Sequence, residues 1–88
     1  MHFESDPAKA AFNLRKHGVS FADAEGALQD PRAVTVEDAD AKDEQRFITI
    51  GMGNAGELLV VVWTERGDAR RVISARHPTP KERNDYES

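Results

Sequence analysis

The chain contains no cysteine, so disulfide bonds, thiolate nucleophiles and cysteine-ligated zinc sites are all excluded. A small domain without such cross-links has to be stabilised by its hydrophobic core. The absence of cysteine suits the reducing cytoplasm, and we expect a cytoplasmic protein.

Long hydrophobic runs are also missing. The longest covers residues 58–63, which is enough for one buried strand and too short to span a membrane. The first residues contain no basic region followed by an apolar stretch, so we expect neither a signal peptide nor a membrane association. A length of 88 residues predicts one domain over residues 1–88.

Aromatic residues are scarce and make up 7% of the sequence. Most of the six, which are Phe3, Phe12, Phe21, Phe47, Trp63 and Tyr86, occupy positions expected in the core. Platforms on which nucleic-acid bases stack are therefore expected to be few, which argues against a stand-alone RNA-binding domain.

Charge is distributed unevenly along the chain. The formal net charge of −4 argues against a protein that coats nucleic acid by bulk electrostatics. Residues 66–83, however, contain six basic side chains and two acidic ones, whereas residues 37–44 contain five acidic side chains and one lysine. One small domain thus carries an acidic loop and a basic C-terminal third.

Two helices are predicted near the N-terminus. Asp6 precedes a proline at the first helical position and Gly18 supplies a stop, so the first helix covers Pro7–His17. Ser20 begins a capping box, and the second helix covers Phe21–Gln29 and ends at Asp30, which precedes a proline. On the first helix we expect Ala10, Ala11 and Leu14 to face the core. The neighbouring stripe consists of Lys9, Asn13, Lys16 and His17.

The rest of the chain is predicted to form a sheet and a final helix. Alternating or continuous apolar patterns predict strands over residues 33–36, 46–52, 58–64 and 70–76. Thr79, followed by a proline and then by Glu82, predicts a short helix that ends at about Tyr86. The predicted fold class is α+β, with two N-terminal helices, an antiparallel sheet of about four strands and a short C-terminal helix.

Three groups of residues have side chains suited to chemistry. The first consists of five arginines, Arg66, Arg70, Arg71, Arg76 and Arg83. Guanidinium groups match phosphate in charge and geometry, but they are also typical of a solvated edge strand. The second group is the Lys9 to His17 stripe, which either acts on a phosphodiester or is an ordinary exposed helix face. The third group, His77 with Glu65 and Tyr86, contains possible acid–base residues.

We expect no metal site and no cofactor. His2, His17 and His77 lack the spacing of metal ligands, and the acidic loop lacks the glycine and the terminal glutamate of a calcium-binding loop. The glycine-rich phosphate loops of nucleotide-binding proteins and the nucleophile elbow of hydrolases are also missing.

Short motifs spread along nearly the whole chain resemble those of one protein family. They are FESDP at residues 3–7, KHGVSF at 16–21, TERG at 64–67, ISAR at 73–76 and KER at 81–83. In this combination the sequence resembles the BrnT toxins, the ribonuclease half of a type II toxin–antitoxin pair. Ser5 departs from the family pattern, which usually has a tryptophan after the Phe-Glu pair.

The resemblance implies a RelE-like fold, an RNA substrate, inhibition of translation and an antitoxin partner with a ribbon-helix-helix DNA-binding domain, so that DNA is contacted only through the antitoxin. It also implies metal-independent cleavage by the 2′-OH of the RNA, with Arg66 and Arg76 holding the scissile phosphate. His17, Glu65 or Tyr86 would transfer protons. Lys9, Lys16, Arg70, Arg71 and Arg83 would bind the substrate. The alternative is a non-catalytic, toxin-like binding module that acts through its DNA-binding partner.

Overall fold

The computed structural model describes residues 2–88, and Met1, the first residue of the predicted domain, lies outside that range. In chain order the elements are β1 (His2–Glu4), α1 (Pro7–His17), α2 (Phe21–Gln29), β2 (Val34–Glu37), β3 (Phe47–Met52), β4 (Leu58–Arg66), β5 (Ala69–Arg76) and α3 (Pro80–Glu87). No helix within residues 2–88 combines the length and the apolar character needed to cross a membrane.

The helices begin and end where the capping signals predict. The Asp6 carboxylate accepts a hydrogen bond from the Ala8 amide (2.9 Å), and α1 ends at Gly18, which has a left-handed φ of 69°. The Ser20 hydroxyl accepts from the Asp23 amide and starts α2. The capping box that starts α3 is complete, with both of its reciprocal hydrogen bonds formed.

The strands form one five-stranded sheet in the order β1-β5-β4-β3-β2. The antiparallel meander from β2 to β5 confirms the predicted order of four strands. The sequence prediction missed β1, which pairs in parallel with residues 69–71 of β5 and makes the sheet mixed. Three residues are too few to display a strand period, so this element gave no recognisable sequence signal.

The core lies mainly between the sheet and the two N-terminal helices. Buried side chains of α2, such as Phe21 and Leu28, pack against Val61, Trp63 and Val72 of the central strands. The opposite face of the sheet carries a smaller cluster of Ile50, Leu58 and Val60, which Tyr86 of α3 partly covers. Both faces of the central strands are thus covered, which explains the continuous apolar run in β4.

The predicted core face of α1 was partly wrong. Ala10 is half-buried as expected, but Ala11 is exposed and Leu14 is 52% exposed. The buried residue of this helix is instead Asn13, with only 3% of its surface accessible. Phe12 is 55% exposed. The helix is therefore rotated relative to the prediction, and a polar residue contacts the sheet.

Candidate functional site

Asn13 attaches α1 to the edge of β5. Its Nδ2 atom donates hydrogen bonds to the carbonyl oxygens of Ala75 (2.8 Å) and Val19 (3.0 Å), and its Oδ1 accepts from the Ala75 amide (3.0 Å). Within residues 2–88, β1 pairs only with residues 69–71 of β5, so the Asn13 amide takes the place of a neighbouring strand at Ala75. As a result, α1 is fixed beside the end of β5 that carries Arg76.

Arg76 is held by an acidic side chain of α3. Its two terminal nitrogens donate to the two carboxylate oxygens of Glu82, each at 2.8 Å. This bidentate hydrogen bond, despite the opposing effect of partial burial, lowers the pKa of Glu82 to about 2. The same contact raises the pKa of the Arg76 guanidinium. Arg76 is therefore a fixed cation whose anion-binding edge is occupied by a carboxylate.

A second group of cations surrounds the β4–β5 turn. The Arg70 guanidinium lies over the Trp63 ring, 4.7 Å from its centroid, and donates to the Leu28 carbonyl at the end of α2. Arg71 pairs with Glu4 of β1 at 3.3 Å. Arg66 and Glu65 are exposed at the end of β4. Arg70 and Arg71 thus have structural contacts, whereas Arg66 faces solvent.

The two arginines expected to hold one phosphate lie far apart. Arg76 pairs with Val60 and Arg66 pairs with Ala69, so the length of β4 separates them. Six residues of strand correspond to about 20 Å. Because Arg76 also turns toward Glu82 of α3, the structure does not bring the two guanidinium groups together.

Tyr86 is hydrogen-bonded to Asp30. Its hydroxyl donates to Asp30 Oδ2 at 2.6 Å, and this bond, together with desolvation, raises the pKa of the phenol. Asp30 also accepts from the backbone amides of Met52 and Arg32. Burial alone would raise the pKa of Asp30, but these three hydrogen bonds outweigh it and lower the pKa. Tyr86 is consequently a neutral proton donor rather than a phenolate base.

The remaining predicted site residues are spread over the surface. Lys9 and Lys16 are exposed on α1, His17 is half-buried at the end of that helix, and Arg83 is exposed on α3. His77 follows Arg76 and has its Nδ1 3.8 Å from Glu57 Oε2. Within residues 2–88, no three histidine, aspartate or glutamate side chains come together in a way that could hold a metal ion.

Glu82 and Asp30 bind the predicted site residues Arg76 and Tyr86, but the sequence did not predict either of them as part of the site. Glu82 was recognised only as the third residue of a capping box, and Asp30 only as the end of a helix. Glu82 lines one wall of a groove of about 410 Å³ between α3 and the exposed faces of β2 and β3, whose opposite wall includes Val36 and Ile48. Side-chain pairing across a strand–helix turn has no periodic sequence signal, so only the structure shows these partners.

The fold and its cations define a small α+β protein with arginine side chains at both ends of a central antiparallel hairpin. A family model described as "Ribonuclease toxin, BrnT, of type II toxin-antitoxin system" matches residues 6–82. The chain therefore belongs to the BrnT family of ribonuclease toxins of type II toxin–antitoxin systems.

A solved structure agrees with this assignment. The crystal structure of the Brucella abortus ribonuclease toxin BrnT superposes with a TM-score of 0.69 and is 30% identical in sequence. The match covers 90% of this chain and 97% of the Brucella chain. Among curated proteins, no significant sequence match is found.

Proposed function

We propose that this chain is a metal-independent endoribonuclease that inhibits translation by cleaving RNA in the cytoplasm. In the proposed reaction the 2′-oxygen of a nucleotide attacks the adjacent phosphorus, the bond to the 5′-oxygen breaks, and a 2′,3′-cyclic phosphate forms. The 2′-OH proton goes to a base and a proton is given to the leaving 5′-oxygen. Such a reaction needs positioned cations and proton-transfer groups but no protein nucleophile.

The main support for the proposal is the position of Arg76 in the structure, together with membership of this ribonuclease toxin family. Arg76 lies at the end of a central strand, and its guanidinium already binds the two oxygens of a carboxylate. A phosphate presents two oxygens to a guanidinium in a similar way and carries negative charge. We therefore assign the scissile phosphate to Arg76, with the phosphate displacing Glu82.

The other cations are assigned to the rest of the RNA strand. Since Arg66 lies about 20 Å from Arg76 along the sheet, we assign it to a different phosphate of the same strand. Lys9, Lys16 and Arg83 are exposed and would bind further phosphates. Arg70 and Arg71 would contribute mainly through their charge, because their guanidinium groups contact Trp63 and Glu4.

The proton-transfer roles are assigned from the acid–base chemistry of the predicted site residues. We assign Tyr86 as the acid that protonates the leaving oxygen, because its hydroxyl carries a proton, which it donates to Asp30 in the free chain. We assign the base to His17, which ends the helix fixed beside Ala75, because Glu65 lies five residues along β4 from the partner of Arg76, roughly 17 Å away.

The partner we propose is an antitoxin with a ribbon-helix-helix domain, through which DNA is bound. An acidic or apolar segment of this partner would cover the basic C-terminal third and block access of RNA to Arg76. Membership of a toxin–antitoxin family supports the existence of such a partner.

The test is cleavage of a labelled RNA in EDTA, with product ends mapped. We expect cyclic phosphate or 3′-phosphate ends, and we expect Arg76→Ala to lower kcat/KM by roughly two orders of magnitude or more, as for removal of a transition-state cation. Arg46→Ala is the matched control, because Arg46 pairs only with Glu44 of the acidic loop among residues 2–88. Arg76→Lys keeps the charge and should fall between the two.

Cleavage by Arg76→Ala at the wild-type rate would refute the assignment of Arg76. No cleavage by a folded, monodisperse wild-type protein would instead favour the alternative, a toxin-like binding module. Ser5, exposed between β1 and α1, would then be the first position to restore to tryptophan.

A further inference from the structure

Phe12 is the one aromatic side chain within residues 2–88 that lies on the exposed surface. The other five are buried or half-buried, whereas Phe12 is 55% exposed. Its neighbour Asn13 holds α1 against β5, so Phe12 is carried on a fixed helix and not on a mobile loop. Single exposed apolar residues are common on protein surfaces, so the case for Phe12 depends on the charges that surround it.

The surface around Phe12 is basic. Helix α1 contains Lys9, Arg15 and Lys16, all exposed, and no acidic residue, although the whole chain has a net charge of −4. The Lys16 ammonium lies 5.7 Å from the centroid of the Phe12 ring. An aromatic ring accompanied by cations is the arrangement that binds single-stranded nucleic acid, because bases stack on the ring and phosphates pair with the cations.

This surface is close to the proposed site of cleavage. Phe12 precedes Asn13, Arg76 follows Ala75, and the Asn13 side chain binds both backbone polar atoms of Ala75. Because Arg76 turns toward α3 on the other face of the sheet, an RNA strand that binds both Arg76 and α1 would cross the edge of β5 beside Ala75.

We propose that Phe12 is a base-stacking residue of an RNA-binding subsite on α1, with Lys16 bound to a phosphate of the stacked nucleotide. The proposal rests on the function proposed above for its substrate and adds the residue that holds a base. A polyanion is favoured over an apolar protein segment because a protein helix docked on Phe12 would have to desolvate three lysine and arginine side chains of α1.

The first experiment measures binding of a fluorescent single-stranded 2′-deoxy oligonucleotide, which cannot be cleaved through a 2′-OH. We expect Phe12→Ala to weaken its binding about fivefold to one-hundredfold, the range for loss of one stacked base. The same substitution should not change the binding of an abasic oligonucleotide of equal length. Leu14→Ala is the matched control, because Leu14 is a 52% exposed apolar residue of the same helix.

The salt dependence separates stacking from charge. Phe12→Ala should leave the slope of log K against log salt concentration unchanged, whereas Lys16→Ala should reduce it by about 0.7, the value for one phosphate contact on a single strand. Phe12→Tyr should restore binding, because its ring has a similar π-face.

Several outcomes would overturn the proposal. These are equal affinity of Phe12→Ala and the wild type for the base-carrying oligonucleotide, equal weakening toward the abasic one, or an effect on antitoxin binding alone. The last would identify α1 as a protein interface.

RNA cleavage measured in parallel keeps the two proposals distinct. If the wild type cleaves RNA and Phe12→Ala does not raise KM, the assignment of Phe12 as a base-stacking residue is wrong, and the proposed ribonuclease activity is unaffected. If the wild type binds the oligonucleotide through Phe12 but does not cleave RNA, the proposed ribonuclease activity is wrong, and the assignment of the binding subsite holds. Failure of the wild type to bind any oligonucleotide would refute the subsite.

Discussion

Replacing Glu82 with glutamine removes one charge from the Arg76–Glu82 pair and leaves the shape of the side chain almost unchanged. Glutamine is also compatible with the capping box, since its side-chain oxygen can accept from the Thr79 amide as Glu82 does at 2.8 Å. The amide nitrogen that replaces Oε2 cannot accept from Arg76, so the substitution removes the charge and one of the two hydrogen bonds of the pair.

The expected loss of stability follows from the lowered pKa of Glu82. A change from the ordinary value of 4.5 to about 2 corresponds to roughly 3 kcal/mol if it is transferred in full to the folded state. The side chains of Arg76 and Glu82 are 41% and 24% exposed, so solvent screens the pair, and we expect about 1–2 kcal/mol at pH 7.

The pH dependence of the stability separates an ionic contribution from packing more clearly than the stability at pH 7 does. A carboxylate with a lowered pKa stabilises the folded state fully above its ordinary pKa, and this stabilisation is lost as the pH falls through the folded-state value. The difference in unfolding free energy between wild type and Glu82→Gln should therefore be constant above about pH 5 and disappear between pH 4.5 and about 2.

Urea denaturation followed by fluorescence measures this difference, because Trp63 is the only tryptophan and is buried. Glu87→Gln, a similar substitution at an exposed position of α3, should show little change at any pH. A difference between wild type and Glu82→Gln that stays the same from pH 7 to pH 2 would refute the ionic explanation and point to packing. Under the proposed function, Glu82→Gln should also lower KM for RNA, because a phosphate would no longer compete with a carboxylate for Arg76.

Three further results are expected. Asn13→Ala should destabilise the protein by about 3 kcal/mol or more, because it leaves backbone groups of Ala75 and Val19 without partners; a loss below about 1 kcal/mol in urea denaturation would contradict this role. Tyr86→Phe should raise the pKa of Asp30 toward its ordinary value, since the largest hydrogen-bonding contribution to the lowered pKa is removed, and an unchanged carboxyl titration by NMR would count against the Tyr86–Asp30 bond. The proposed antitoxin complex should dissociate more readily as salt rises if charge dominates, and a salt-independent affinity in a titration series would indicate apolar contacts instead.

The helix boundaries and the strand order of the meander were predictable because they depend on local signals. Asp6, Ser20 and Thr79 cap amides two or three residues away, so the hydrogen bonds that start each helix are encoded within one turn. The apolar run in β4 likewise reports burial on both faces of a strand.

The orientation of α1 was not predictable in this way. Asn13 is buried because its amide satisfies a backbone position of β5 that is 62 residues away in sequence, and this contact outweighs the apolar pattern that favoured Leu14. The same rotation leaves Phe12 on the surface. Hydrophobic periodicity reflects only the apolar character of the side chains within a helix. It contains no information about an unpaired strand edge elsewhere in the chain.

The sequence by itself determined which elements form, which family the motifs resemble and which residue types are available for binding an anion. Only the tertiary structure decided how those residues are grouped: it joins Arg76 to Glu82, places Arg66 at the other end of the hairpin and adds β1 to the edge of the sheet. The physical reason is that caps and apolar runs depend on neighbours within a turn or a strand, whereas ion pairs and strand edges depend on how distant segments pack.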